Sequence, residues 1–159
     1  IKVTVSGVLQ INISERIPAF IWRKDDVISV IDEKGKFIRL ATSRLDYPEL
    51  PLVIGEAANL SIADISSLME DNQYFLDQVR AFVRVGERRW DLVLDNNLRI
   101  MLPQTEFLAA FDRLMLMNHT GSLFSNQLST IDMRLVERPT VRLGAVSADP
   151  LMYNSSGDL

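Results

Sequence analysis

The 159-residue sequence contains no cysteine, a single histidine, and few glycines and prolines, seven and six respectively. Without cysteine, the chain cannot form disulfide bonds, thiolate zinc sites or a cysteine nucleophile. The low glycine and proline content accompanies 47% hydrophobic and 24% charged residues, which is the composition of an ordinary globular protein. We therefore expect one main domain with a single hydrophobic core.

The sequence also lacks an excess of positive charge and any long apolar run. Its 17 basic and 21 acidic residues give a net charge of −4, so its field repels phosphate backbones and we expect no nucleic-acid partner. No segment reaches the roughly 18 apolar residues of a membrane helix. The sequence begins with isoleucine and shows no signal-peptide pattern, which indicates a fragment or mature form of a longer protein.

Signatures of catalysis are missing as well. His119 has no second histidine or cysteine to work with, and the neighbouring acidic residues Asp25–Asp26, Asp32–Glu33 and Glu70–Asp71 point apart in predicted turns or at a helix end. The sequence has no nucleophile elbow and no phosphate-binding glycine loop. We predict a protein without enzymatic activity, cofactor or metal.

Apolar residues alternate with polar ones over much of the chain, which predicts β-strands. A charged turn with Gly35 joins two strands in a hairpin, and a three-stranded antiparallel meander follows later. Pro48 and Pro51 argue against a central strand in residues 41–60, which we interpret as a loop. The predicted strands include residues 1–7, 8–14, 19–23, 27–31, 37–40, 81–85, 90–94, 98–102, 129–135 and 140–143.

Two segments show helical spacing of apolar residues. The first runs from about Ile62 to Asp71, with Ser61 and Asp64 in the spacing of a capping box. The second begins near Phe107, where Thr105 could cap it. The fold class is therefore α+β, a mostly antiparallel β-sheet with two amphipathic helices packed on it.

Both ends of the chain carry further expectations. Only Gly7 separates the first two predicted strands, which is too short for a comfortable hairpin, so we predict that residues are missing between Gly7 and Val8. In the last predicted strand we expect Val141 to fill the core, whereas Leu143 is assigned equally well to the core or to a partner contact. Residues 147–159 read as a loose tail.

Five short segments, in this order along the chain, resemble the FtsQ/DivIB family of bacterial division proteins, in the style of its alphaproteobacterial members. These segments are Glu15–Trp22, Ile31–Gly35, Leu50–Gly55, Val85–Leu92 and Ile131–Leu135.

The resemblance implies a domain organisation and a location. Residues 1–14 would be partial strands of a POTRA domain, residues 15–146 the FtsQ-type β domain, and residues 147–159 the tail. In the full-length protein, a single N-terminal membrane helix absent from this sequence would anchor these domains to the bacterial inner membrane. They would then lie in the periplasm at the division septum.

The resemblance also implies a function and partners. The family acts as a non-enzymatic scaffold that binds FtsB and FtsL and helps recruit and regulate the septal peptidoglycan synthases FtsW and FtsI; FtsK and FtsN are further division partners. FtsB would add a strand to the last strand, Thr140–Leu143. Leu135, Glu137, Arg138 and Leu143 fall where the family has partner-contacting residues, and Arg88 or Arg89 falls where it has a contacting arginine, which can pair bidentately with an acidic partner. The candidate partner-binding residues are therefore Arg88, Arg89, Arg134, Leu135, Glu137, Arg138, Thr140 and Leu143.

Two alternative functions remain open at this point. A periplasmic carbohydrate-active enzyme would need two carboxylates that face each other across a cleft. An outer-membrane assembly module of the POTRA type would carry several POTRA repeats, whereas this sequence has fragments of one.

Overall fold

The alternating segments form two β-sheets in the computed structural model of the protein, one of nine strands and one of two. The structure describes residues 2–3, 9–10, 14–70, 72–118, 123–124, 127–135 and 137–144. The strands are β1 (Lys2–Val3), β2 (Leu9–Gln10), β3 (Phe20–Lys24), β4 (Val27–Ile31), β5 (Phe37–Leu40), β6 (Leu52–Ile54), β7 (Val79–Val85), β8 (Arg89–Leu94), β9 (Arg99–Met101), β10 (Leu128–Asp132) and β11 (Thr140–Leu143).

The large sheet has the strand order β11-β10-β9-β8-β7-β6-β3-β4-β5. The predicted hairpin β4–β5, the meander β7–β8–β9 and the last hairpin β10–β11 are all antiparallel. Three contacts, β3–β6, β6–β7 and β9–β10, are parallel. The predicted α+β class is thus confirmed, with a mixed sheet, because long connections carry the chain back before these strands pair.

The prediction of a loop over residues 41–60 was wrong at β6, which lies near the middle of the sheet between β3 and β7. Proline lacks a backbone N–H and would interrupt a central ladder. Pro51, however, precedes the strand, so only its carbonyl is needed, and that carbonyl accepts the Ile21 N–H at 3.0 Å. Pro51 therefore leads into the strand without removing one of its hydrogen bonds.

The helices are α1 (Ile62–Glu70), α2 (Gln73–Leu76) and α3 (Phe107–Met117). A 3₁₀ turn over Ala58–Ser61 precedes α1, and the Asp64 carboxylate accepts the indole N–H of Trp90 at 3.0 Å, which ties α1 to the sheet. The expected Thr105 cap of α3 was wrong, because the residue before the helix is Glu106, in a left-handed conformation without a side-chain cap.

All three helices pack on one face of the sheet, which we call the helix face. Its core joins residues of the central strands to apolar residues of the helices, and Phe75 meets Phe111 edge to face at 5.2 Å between ring centroids. Successive residues of a strand point to opposite faces of the sheet. The strand residues that alternate with these core residues therefore point away from the helices, and we call the face that they form the open face. The fully buried helix-face residues include Phe82, Trp90, Leu92, Ile100, Ile65, Leu68, Phe111 and Leu114.

At the N-terminus, β1 pairs with β2 in antiparallel fashion, with Lys2 opposite Gln10 and Val3 opposite Leu9. The predicted break between Gly7 and Val8, the tail 147–159 and His119 lie outside the described residues. Within the described ranges, none of the helices is long and apolar enough to cross a bilayer.

Candidate binding edge

The large sheet is open, so β5 and β11 each form an edge strand. All four residues of β11 are exposed. Leu143 is 70% exposed, and Val141, which was expected in the core, is 54% exposed. That expectation was wrong because alternation alone does not show whether a strand lies over the helices or beyond them. The last strand therefore presents apolar side chains to solvent.

Backbone groups of β11 also point outward. The Gly144 N–H donates to the Gln127 carbonyl at 2.8 Å, which makes these residues a hydrogen-bonded pair. Such pairs alternate with non-hydrogen-bonded pairs in an antiparallel ladder. Two pairs are therefore non-hydrogen-bonded: Leu128 with Leu143 and, past the bulge in β10, Ile131 with Val141. The N–H groups of Val141 and Leu143 point away from β10, toward a further strand.

The opposite edge follows the same rule. The Asp32 N–H donates to the Lys36 carbonyl at 3.0 Å, and the Ala41 N–H donates to the Ile28 carbonyl at 2.9 Å. Between these pairs, the N–H groups of Phe37 and Leu40 point outward. Both side chains are exposed, 56% and 66% respectively. The chain thus has two edges with outward donors on apolar residues.

The turn between β10 and β11 contains four of the predicted site residues, Arg134, Leu135, Glu137 and Arg138. Leu135 is 69% exposed, and its carbonyl accepts the Arg138 N–H at 2.9 Å. Glu137 and Arg138 are both exposed, and the Glu137 carboxylate lies 4.0 Å from the guanidinium of Arg113 on α3. Leu135 therefore adds a third exposed apolar side chain near the edge.

Arg134 is fixed by Asp132 at the end of β10. Its Nε lies 2.9 and 3.0 Å from the two carboxylate oxygens of Asp132, and its Nη2 lies 2.6 Å from one of them. These bonds, with the backbone N–H of Arg134, hold the pKa of Asp132 below its ordinary value. A cleft of about 330 Å³ is lined by Arg134, Leu135, Arg138 and Thr140, so the structure brings these four predicted residues together.

Arg88 and Arg89 lie at the turn that leads into β8. Arg88 is exposed, whereas Arg89 is half-buried and its Nε donates to Asp91 at 3.3 Å. A small cleft of about 190 Å³ is lined by both of them together with Arg134. The two arginines therefore belong to the same end of the sheet as the β10–β11 hairpin.

Sequence reasoning missed three charged residues of this region, Asp91, Arg99 and Arg142. They lie on the open face, where a cleft of about 500 Å³ is lined by Arg99, Arg142 and Arg134 among others. The strand pairing puts Arg99 opposite Thr130 and Thr130 opposite Arg142 in one row. The sequence does place these charged residues between apolar ones in the strands, which could have assigned them to the open face. Only the register of the strands shows that they are neighbours.

The largest of these clefts, of about 760 Å³, extends over β6 and β7 and is also lined by Met69 of α1 and by Gln73 and Leu76 of α2. Leu52, Ile54 and Val83 are among its apolar lining residues, and both acidic and basic side chains contribute to it. Across the described part of the chain, no group of three or more histidine, aspartate or glutamate residues is arranged to hold a metal ion.

Comparison with known proteins gives consistent matches. Residues 20–134 match the family model described as "Cell division protein FtsQ/DivIB, C-terminal". The chain is 38% identical over 152 residues to the cell division protein FtsQ of Jannaschia sp. (strain CCS1), covering 95% of this chain and 49% of the relative. It is 35% identical over 151 residues to FtsQ of Dinoroseobacter shibae, covering 95% and 51%. FtsQ of Bartonella bacilliformis is 37% identical over 138 residues, covering 85% and 44%.

The chain spans about half the length of the curated relatives it matches. The family model extends from the start of β3 to the end of the β10 region, which is most of the large sheet and well over half of the chain. The resemblance seen in the five sequence segments is thereby confirmed, and the chain belongs to the FtsQ/DivIB family of cell division proteins.

Proposed function

We propose that this chain is the β domain, with part of the POTRA domain, of a non-enzymatic scaffold of the division machinery. It binds the FtsB/FtsL pair by strand addition to β11 and thereby helps recruit and regulate septal peptidoglycan synthesis. Residues 1–14, 15–146 and 147–159 are the POTRA strands, the β domain and the tail. The whole protein is anchored in the inner membrane, with this part in the periplasm at the septum.

One observation carries the proposal, the free edge of β11. An added strand needs outward backbone groups for affinity and accessible side chains for specificity. The N–H groups of Val141 and Leu143 point outward, and both side chains are more than half exposed on the helix face. The edge therefore supplies both requirements in one strand of four residues.

The charges around β11 support a partner strand with acidic side chains. Thr140 and Arg142 lie on the open face of β11, and Arg134 and Arg138 are exposed beside them. Arginine forms bidentate hydrogen bonds with carboxylates. Although the chain as a whole is acidic, this end of it is rich in arginine, so it attracts an acidic segment that the rest of the surface repels.

The edge can be tested with a proline placed where it removes only an outward donor. Val141→Pro removes the outward N–H of β11 and leaves the ladder with β10 intact, because edge strands accept proline on their solvent side. Leu40→Pro is the matched control, since it removes an outward donor at the opposite edge. Binding of the extracytoplasmic FtsB–FtsL pair from the same bacterium is measured by titration calorimetry.

We expect Val141→Pro to weaken binding by at least about 100-fold, because it removes a backbone bond and places a ring against the added strand. Leu40→Pro should leave the dissociation constant unchanged. Equal affinities of the two variants and the unsubstituted chain would rule out strand addition at β11.

A further inference from the structure

The Asp91 carboxylate is an unusual group for its position. It lies on the open face of β8, between Val83 of β7 and Met101 of β9, and it is completely buried. It lies outside the hydrophobic core cluster, which occupies the other face. Two arginine side chains, one from its own strand and one from the next strand, are bonded to it.

These two arginines hold Asp91 from both sides. The Arg99 Nε and Nη2 each lie 2.7 Å from Oδ2 of Asp91, and the Arg89 Nε lies 3.3 Å from Oδ1. Arg99 is nearly half exposed and Arg89 less so. A guanidinium has five N–H donors, so each arginine keeps donors that Asp91 does not use. Asp91 therefore fixes two cations without saturating them.

Stability of the sheet does not require a charge at this position. A buried ion pair gains little or nothing over apolar residues that pack equally well. Both strand neighbours of Asp91, Val83 and Met101, are apolar, so an apolar residue would suit the sheet. The carboxylate is better explained by what it does to Arg89 and Arg99.

One row of paired strand residues connects the fixed arginines, which lie two and three strands in from β11, to the proposed binding edge. Asp91, Met101, Asp132 and Thr140 are successive partners in one row that runs from β8 to β11. Asp132 lies close enough to Arg89, and Arg134 close enough to Asp91, for their charges to interact. The two carboxylates and their arginines thus form one connected array on the open face.

We infer that Asp91 is a positioning residue of the proposed binding surface: it holds Arg89 and Arg99 in a fixed arrangement on the open face, where the two arginines select acidic side chains of the partner segment that lies beside the added strand. The inference rests on the proposed function and names the residue that sets its charge selectivity. Arginines held in place lose less side-chain entropy on binding than free ones, so recognition of a carboxylate costs less.

The two explanations of Asp91 predict opposite changes in affinity when it is substituted. Asp91→Asn makes the surface more positive by one charge. If Asp91 affected binding only through the net charge of the surface, the substitution would strengthen binding of an acidic partner. If Asp91 positions the arginines, the same substitution weakens it. The readout is the ratio of affinities for the FtsB–FtsL pair and for a twin whose FtsB periplasmic aspartates and glutamates are replaced by amides.

We expect Asp91→Asn to lower this ratio about tenfold, while Glu49→Gln, which removes an exposed carboxylate far from β11, leaves it unchanged. If Asp91 acts through Arg99, Asp91→Asn combined with Arg99→Gln should lower the ratio no further than Arg99→Gln alone. Asp91→Leu replaces the charge by an apolar side chain and keeps the test available if the asparagine variant unfolds.

Each outcome decides a question. An unchanged or raised ratio in a folded Asp91 variant, with the unsubstituted chain still binding, overturns the positioning role and leaves the proposed function intact. If the unsubstituted chain does not bind the FtsB–FtsL pair at all, the proposed function is wrong, and the role of Asp91 fails with it.

Discussion

The two edges of the large sheet share one design but differ in how they are protected. At both, outward N–H groups belong to exposed apolar residues, Phe37 and Leu40 on β5, Val141 and Leu143 on β11. The bulge next to β5 lies in the edge strand itself, where Ile38 is the extra residue. The bulge next to β11 lies in the inner strand, at Ser129 of β10.

The two edges also differ in their charged residues. Lysines and a bulged edge strand are common protections against unwanted strand pairing. β5 has both, with Lys36 just before it and Lys34 in its turn, whereas no lysine lies in or beside β11 among the described residues. β11 instead lies next to arginines, two of which are paired with buried or half-buried aspartates. The protections that β5 carries are therefore missing at β11, as a strand proposed to accept a partner requires.

The largest effect on binding is expected when a lysine, which protects the edge at β5, is placed on β11. Leu143→Lys places an ammonium where the partner strand should bury an apolar side chain, so we expect binding of FtsB–FtsL to fall by about 100-fold, since stranding a charge costs several kcal/mol. Leu40→Lys on β5 is the matched variant and should not change the affinity. Titration calorimetry gives both values.

Thermal unfolding of the same two variants serves as the control. Both residues are exposed, so each substitution should alter the free energy of unfolding by less than about 0.5 kcal/mol. If Leu40→Lys weakened binding as much as Leu143→Lys, both edges would take part and the contrast between them would be lost.

A smaller effect is expected from reversing one charge beside each edge. Arg142→Glu should weaken binding about tenfold, because it places a carboxylate against the acidic partner strand. Arg39→Glu at the other edge, where the guanidinium stacks on the Tyr47 ring at 5.2 Å, should leave binding unchanged. The loss at Arg142 should shrink at high salt, because the interaction is partly exposed; an equal loss in 1 M salt would argue against an electrostatic origin.

The smallest expected effect is on the free energy of unfolding in acid, and a carboxylate at each edge should contribute to it. Hydrogen bonds from the backbone of Lys36, and then from Arg16, keep the pKa of Asp32 below its ordinary value. Arg134 does the same to the pKa of Asp132 at the other edge. A carboxyl with a lowered pKa stabilises the fold above its unfolded pKa, near 4, and loses that contribution as pH falls through the folded pKa.

We therefore expect Asp32→Asn and Asp132→Asn each to reduce the loss in free energy of unfolding between pH 7 and pH 3, as measured by urea denaturation. Amide exchange should assign each effect to its edge: acid should lower the protection of the Lys34 and Lys36 amides through Asp32, and that of the Arg134 amide through Asp132. Equal acid sensitivity of the variants and the unsubstituted chain would refute this account.

Much of the fold followed from local patterns. The hairpin around Gly35 and the meander β7–β9 join strands that are close in sequence, so alternation and turn residues were sufficient to predict them. The central strand β6 was missed because its three residues follow Pro51 and pair only with distant β3 and β7. The array around Asp91 was missed for the same reason, since its members come together through the register of separate strands.

The parallel pairing of β9 with β10 predicts the order in which the strands of the large sheet form during folding. The meander can form from neighbouring residues, whereas β10 reaches β9 only after α3 has crossed over, and β11 then pairs with β10 alone. Contacts between distant residues form slowly, so the meander should precede the final hairpin in folding. A chain cut after α3 would retain most of its core residues, but its sheet would end at β9. The strand proposed to bind the partner is therefore expected to be the last strand of the large sheet to form.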